Sequence, residues 1–145
     1  MKGSGEFALT VGLTFLSPYL FNFIWESAHS VWLYGDHDFN ADRYVRMVGY
    51  VSTVDAVLVL GIFFFISVAW RNAFWIKRMN FMHALAVLLS GVLVSGIVEY
   101  RAVYVLKEWS YGPNMPILLG IGLSPLVQIG ITGLLAFWLT GRLLY

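Results

Sequence analysis

Two stretches of the chain, Ala8 to Trp25 and Val54 to Ala69, run for roughly the length of a bilayer crossing with almost no charged residue. About 20 apolar residues in a helix span the hydrocarbon core of a membrane. Only helices and closed barrels satisfy their backbone groups there. These runs therefore predict membrane-spanning helices. Composition extends the reading to the whole chain: 59% of its 145 residues are hydrophobic and 12% are charged, against about a quarter charged in soluble domains.

The polar breaks divide the chain into four helices, expected at about 8–34, 47–70, 81–106 and 115–144, within a single membrane domain over 1–145. The expected fold class is all-α, a polytopic antiparallel bundle of four transmembrane helices. The breaks are short and carry most of the charge: Asp36, His37, Asp38, Asn40 and Asp42 in the first, Arg71, Lys77 and Arg78 in the second, Lys107 to Pro113 in the third. An even helix count puts both termini on one side. Lys2, Arg71, Lys77, Arg78 and Arg142 gather on that side, and Arg43, Arg46 and Lys107 on the other. Because Lys and Arg are retained in the cytoplasm, the termini are expected there. The first helix is expected to stay in the mature protein, since its apolar run exceeds the ~7–15 residues of a signal peptide and no small-residue cleavage site follows.

Several function classes drop out. A formal net charge of +1 provides no basic footprint for nucleic acid, whose binding depends on Lys and Arg neutralising phosphates. With no cysteine, disulfides, thiolate metal sites and cysteine nucleophiles are excluded. No serine lies in a nucleophile-elbow sequence and no glycine loop suggests phosphate binding, so neither hydrolase nor kinase chemistry is expected. Trp32, Trp70, Trp75 and Trp109 fall near expected helix ends, where amphipathic rings favour the headgroup region. Ser90, Gly91, Ser95 and Gly96, with Gly120, Gly122, Gly130 and Gly133, read as close-packing positions. Pro125, inside the expected fourth helix, predicts a kink near Ile121 to Pro125.

The residues that a membrane helix should not hold are the informative ones: Asn22, Glu26 and His29 in the first helix, Asp55 in the second, Glu99 in the third and Gln128 in the fourth. A carboxylate at helix centre costs about 2.5–3.5 kcal/mol on insertion scales. Asn22, Glu26 and His29 lie at i, i+4 and i+7, a single helix face. Ser52 with Asp55, Ser95 with Glu99, and Ser124 with Gln128 repeat the pattern at three or four residues. With ~1.5 Å of rise per residue, Glu26 and Asp55 come out roughly 12 Å deep, Glu99 about 10 Å, Ser124 about 14 Å and Gln128 nearer 20 Å. One polar pocket is expected in the half of the bilayer away from the termini, with Arg101 as counter-ion to Glu99. Glu26, Asp55, Glu99 and His29 are the candidate acid/base groups; Asn22, Arg101, Ser124 and Gln128 are candidate ligand-binding groups. Carboxylates this close favour holding a proton between them.

Three readings follow from such a pocket. The first is a cavity for a membrane lipid, an isoprenoid or another hydrophobic small molecule, with acid/base isomerisation or cyclisation as its chemistry. The second is proton or metal-cation transport, which four helices would support as a homo-oligomer. The third is a scaffold in which the polar layer fixes helix register. Glu26-x-x-His29 also matches half of a di-iron carboxylate site, whose second copy is missing. One metal on His29, Glu26, Asp55 and Glu99 is chemically feasible, but no cofactor is named by the sequence. His83 and His37 read as interfacial or solvated.

The layout of Glu26 and His29, the acidic loop ending Ala41-Asp42-Arg43-Tyr44, Asp55 eleven residues beyond that tyrosine, Glu99 and the amide of Gln128 resembles the four-helix core of emopamil-binding and EXPERA-type proteins. That group includes sterol isomerases and lipid- or sterol-binding relatives. The resemblance implies a membrane cavity in which acids protonate and deprotonate a sterol double bond, with aromatic and amide groups stabilising the carbocation. Asp55 then resembles the second-helix acid, and Glu26 with His29 the first-helix pair. The sequence departs from that pattern in having Asp where the family has Glu, Glu before His rather than after it, and Gln rather than Asn in the last helix. Pro116 to Gln128, with the Trp25-Glu26 and Glu99-Tyr100 pairs, is also similar to small prokaryotic membrane proteins of unassigned function, a likeness that implies no activity.

Overall fold

A computed structural model describes residues 2–35 and 40–145; the loop residues Asp36, His37 and Asp38 lie outside them. Four helices are long and apolar enough to cross a membrane: α1 (Lys2–Leu33), α2 (Ala41–Ala69), α3 (Phe81–Tyr100, continued by a π-helical turn over Arg101–Leu106) and α4 (Leu123–Leu144). The chain is an integral multi-pass membrane protein with an all-α, four-helix bundle fold. Its helices form a ring in which α1 packs on α2 and α4, and α3 packs on α4 and more lightly on α2.

The bundle is polar inside and apolar outside, as lipid requires of a solvent-facing surface. In α1, Leu9, Leu16, Leu20 and Ile24 face outward, while Thr10, Thr14, Asn22, Glu26 and His29 are buried. The apolar core is concentrated toward the terminal end, where Phe63, Ile66, Trp75, Val87 and Phe137 pack together. Trp75 belongs to this core and donates to Ser67 Oγ at 3.2 Å, so it is not the headgroup anchor expected from its position in the chain. A 3-10 turn over Trp75–Arg78 folds it inward. His83 is likewise buried rather than solvated. It completes a capping box with Asn80 at the start of α3, and its ring lies against Trp70 and Trp75.

Helix starts differ from expectation where caps decide them. α2 begins at Ala41, six residues early, because Asn40 accepts from the Arg43 amide at 3.3 Å and Asp42 pairs with Arg46 one turn on. Such a cap satisfies an amide that the first turn leaves open. α4 begins eight residues late. Residues expected to be its first two turns instead form an antiparallel hairpin, Ile117–Leu118 (β1) against Ile121–Gly122 (β2), turned by Leu119 and Gly120 at φ 53° and 83°. Pro125 therefore sits in the first turn of α4, where no intrahelical partner awaits its missing N–H, and the expected mid-helix kink does not arise. Gly120 and Gly122 serve the hairpin, and Gly91 meets Gly130 backbone to backbone between α3 and α4.

Each end of the bundle is tied by side chains from distant parts of the chain. At the terminal end Lys77 pairs with Glu6 at 2.5 Å and lies over the rings of Phe74 and Tyr145. At the opposite end the third loop runs antiparallel to the exit of α1: Gly112 donates to the Leu33 carbonyl at 2.8 Å and Gly35 to the Ser110 carbonyl at 2.9 Å.

Candidate functional site

The amide of Gln128, on the second turn of α4, is the centre of the polar layer. Its Nε2 lies 3.1 Å from Asn22 Oδ1, 2.8 Å from Glu26 Oε1 and 3.0 Å from Asp55 Oδ2. Two carboxyl groups and a carbonyl are acceptors, so the nitrogen end of the amide is the one that suits them. Two helices, α1 and α2, are thus tied to α4 through one donor group. The depth expected for Gln128 from the sequence was too great because α4 starts at Leu123. Counting from Leu123 takes ~12 Å from that estimate, and the amide stands within hydrogen-bond reach of Glu26 and Asp55.

Glu99 stands apart from that hub, under a collar of aromatic groups. Tyr34 Oη donates to it at 3.0 Å and Tyr111 Oη at 2.7 Å, with the Trp109 indole N–H at 3.5 Å. The pairing of the third loop with the end of α1 sets this collar, since it bridges Tyr34 to Tyr111 directly. Burial, reinforced by the Glu99 carboxylate, pushes the Tyr34 phenol well above its ordinary range. Burial pushes Tyr111 up as well. Both therefore remain donors. Arg101, expected as the counter-ion, is instead exposed; two residues along a helix turns a side chain by about 200°, away from the face that carries Glu99. Among the described residues no Lys or Arg pairs with Asp55 or Glu99.

Glu26, Asp55 and Glu99 all line one cavity of about 670 Å³. Gln128, Ser95 and Ile129 also line it, as do Tyr44, Trp109 and Lys107 from the end of the bundle that carries the first and third loops. All three carboxyl groups are nearly buried, with 5–9% of each residue exposed. Tyr44 is fixed by donation to the Ser27 carbonyl at 2.9 Å and by contact with Ser30 Oγ at 3.0 Å. Among the described residues Ser95 Oγ has no hydrogen-bond partner.

His29 and Ser124 face a different direction. His29 Nε2 lies 3.0 Å from Glu26 Oε2, while its Nδ1 lies 2.9 Å from Ser124 Oγ. The Trp25 indole N–H is shared between His29 Nδ1 at 3.1 Å and Ser124 Oγ at 3.2 Å. Both ring nitrogens of His29 are thus engaged. Among the described residues no three His, Asp or Glu side chains gather as a metal-ligating set; the Gln128 amide occupies the ground between Glu26 and Asp55.

Of the sequence-derived candidates, Asn22, Glu26, Asp55 and Gln128 meet directly, Glu99 joins them across the cavity, His29 and Ser124 extend from Glu26 toward lipid, and Arg101 takes no part. Tyr34, Trp109 and Tyr111 were not expected as site residues, and Tyr44 entered only through the motif that carries the resemblance. At the ends of helices and in the third loop, Tyr34, Trp109 and Tyr111 carried only an aromatic signal common to every membrane interface. Comparison with protein-family models, with curated proteins and with solved structures finds no match.

Proposed function

We propose that this protein binds a lipid-like or isoprenoid molecule in the carboxylate-floored cavity and carries out acid/base chemistry on it, of the isomerase or cyclase type. The observation that carries the reading is the convergence of Glu26, Asp55 and Glu99 on one cavity, with no ion pair from Lys or Arg to Asp55 or Glu99 among the described residues. Register could be fixed by one hydrogen-bonded group. Three acids around open space, two of them with no basic partner among the described residues, are costly unless they serve a ligand or a proton. The volume lies within the ~300–1,000 Å³ usual for small-molecule sites.

The division between the hub and the collar suits such chemistry. An acid at Asp55 or Glu26, oriented by Gln128, delivers a proton to one carbon of a double bond. Glu99, on another wall, removes one from a neighbouring carbon, so atoms and charge balance. The faces of Tyr34 and Trp109 supply the electron-rich surface that a transient cation favours. The resemblance in layout to emopamil-binding and EXPERA-type proteins agrees with this reading and contributes no residue that the geometry lacks. Cation transport through a single bundle is disfavoured, because Ile129 on the cavity wall belongs to the buried apolar core with Phe63, Trp75 and Phe137. The excess of Lys and Arg beside the termini puts them in the cytoplasm and the cavity mouth on the opposite face.

The test is native mass spectrometry with lipid and metal analysis on detergent-purified wild type and on a Glu26→Gln, Asp55→Asn double variant. A co-purifying hydrophobic molecule, lost from the variant, is expected. A stoichiometric metal lost in its place makes the site a metal centre. No bound molecule in either protein, with the variant only melting earlier, reduces the polar layer to a scaffold.

A further inference from the structure

We infer that Ser124, His29 and Glu26 form a nucleophile relay on the lipid-facing side of the bundle, able to accept an acyl group from an ester-bearing membrane lipid. The relay lies outside the cavity mouth. A second groove of about 350 Å³, between α1 and α4, is lined by Trp25, His29 and Ser124 together with the apolar Phe21, Ile24 and Leu135. Ser124 is half-buried there, in the first turn of α4 directly after β2. A strand-to-helix turn of this kind presents a serine hydroxyl at the rim of a fold. His29 lies four residues, ~6 Å of rise, before the end of α1, a depth that suits the ester region of a lipid rather than its chain ends.

The hydrogen bonds fix the protons in the sense a general base requires. An indole N–H only donates, so the nitrogen it faces, His29 Nδ1, is the acceptor. The proton of the neutral ring then resides on Nε2 and is donated to Glu26 at 3.0 Å. Nδ1 is then an acceptor shared between the Trp25 N–H and the Ser124 hydroxyl, and it can take the proton of Ser124 Oγ at 2.9 Å, with Glu26 orienting the ring and stabilising the imidazolium, as in serine nucleophile–base–acid arrangements on other folds. Attack of Ser124 Oγ on an ester carbonyl forms the new C–O bond as its proton passes to Nδ1. Collapse breaks the ester C–O bond, and the same proton leaves with the alcohol. Water, or a second lipid alcohol, then takes the acyl group from Ser124 by the reverse sequence. The Trp25 N–H stands beside the attacking oxygen and can meet the developing oxyanion. Pro125 withholds the amide that would otherwise follow the nucleophile, so acyl transfer should be slow compared with enzymes that have two such donors.

The relay shares Glu26 with the cavity, but Ser124 and His29 line the separate groove, so an adduct on Ser124 and a ligand in the cavity are read separately and each reading can fail without the other. The experiment is labelling of the full chain, in phospholipid nanodiscs, with a fluorophosphonate probe, read by peptide mass spectrometry. The expected result is an adduct on Ser124 in the wild type, with the labelling rate falling at least about a hundredfold in His29→Gln, the usual scale for loss of a general base. Glu26, as a positioning residue, should in Glu26→Gln both slow labelling and displace its pH profile. No adduct on Ser124, while a soluble serine hydrolase added to the same discs is labelled, overturns the proposal. So does labelling of Ser124 that is unchanged in His29→Gln.

Discussion

Replacing Gln128 by Leu keeps the side chain's approximate volume and removes the donor that ties α1 and α2 to α4. The amide nitrogen carries two hydrogens and faces three acceptors, so no more than two full hydrogen bonds are lost. Each bond to a charged partner is worth about 1.5–3 kcal/mol, which puts the cost of Gln128→Leu at about 3–6 kcal/mol. The same logic makes the cost conditional on Asp55. In an Asp55→Asn background the residue facing Gln128 has a donor of its own and no charge, so the penalty for Gln128→Leu should shrink by about 1–3 kcal/mol, the usual coupling between side chains in one network. Reversible unfolding in mixed micelles, over the four proteins of the double-mutant cycle, measures both quantities. A single variant within about 0.5 kcal/mol of wild type, the range of an inert substitution, would refute the role of the amide as the hub. An additive cycle would separate Asp55 from it.

A Cβ added at Gly91 would lie 2.3 Å from Gly130 Cα and 2.4 Å from its nitrogen, so Gly91→Ala must push α3 and α4 apart and should cost about 1–3 kcal/mol or more. Gly133→Ala meets only side-chain methyls, of Val59 at 3.4 and 3.7 Å and of Val87 at 3.7 Å, and should melt close to wild type; equal losses for both would refute the backbone contact. Tyr34 and Tyr111 are held protonated in the folded state above their ordinary value of 10.0, so the unfolded chain releases their protons first as pH rises. Stability should therefore fall above about pH 10 by as much as ~1.4 kcal/mol per unit per tyrosine, with a shallower fall in Tyr34→Phe, Tyr111→Phe. Absorbance titration of the folded protein should show two of the eight tyrosines ionising late, and eight ordinary titrations would contradict the collar.

What could be seen in the sequence follows the range of the forces involved. Hydrophobic length and charge content act locally, so the four crossings were legible, and α3 with its π-helical end covers the expected 81–106. The polar layer was legible because 3.6-residue periodicity places Asn22, Glu26 and His29 on one face, whatever their neighbours are. Position along a helix depends on where the helix starts, and that was set by groups the hydropathy pattern does not weigh: the Asn40 cap and the 117–122 hairpin. The late start of α4 moved Gln128 up to the carboxylates and set Ser124 against His29. Ser124 consequently looked like a minor polar neighbour of Gln128, and the absence of a nucleophile-elbow sequence counted against hydrolytic chemistry. The aromatic collar depends on a loop-to-helix pairing, Tyr34 with Tyr111, across 77 residues of chain, for which a single sequence holds no signal.

The two halves of the bundle obey different rules, and the difference bears on how the protein works. Toward the termini, Phe63, Trp75 and Phe137 fill the interior, and small residues such as Gly130 and Gly133 let α4 approach its neighbours. That half is a closed apolar clamp. Toward the first and third loops the same four helices enclose three acids and about 670 Å³ of space, where filling the volume with apolar side chains would have been the more stable solution. Membrane helices pack well enough in the closed half to tolerate this cost in the open one. An interior that is solid at one end and hollow at the other is poorly suited to passing a solute across the bilayer. It suits a molecule that enters and leaves by the same face, where its polar end meets Gln128 and the carboxyl groups and its apolar part retains contact with lipid.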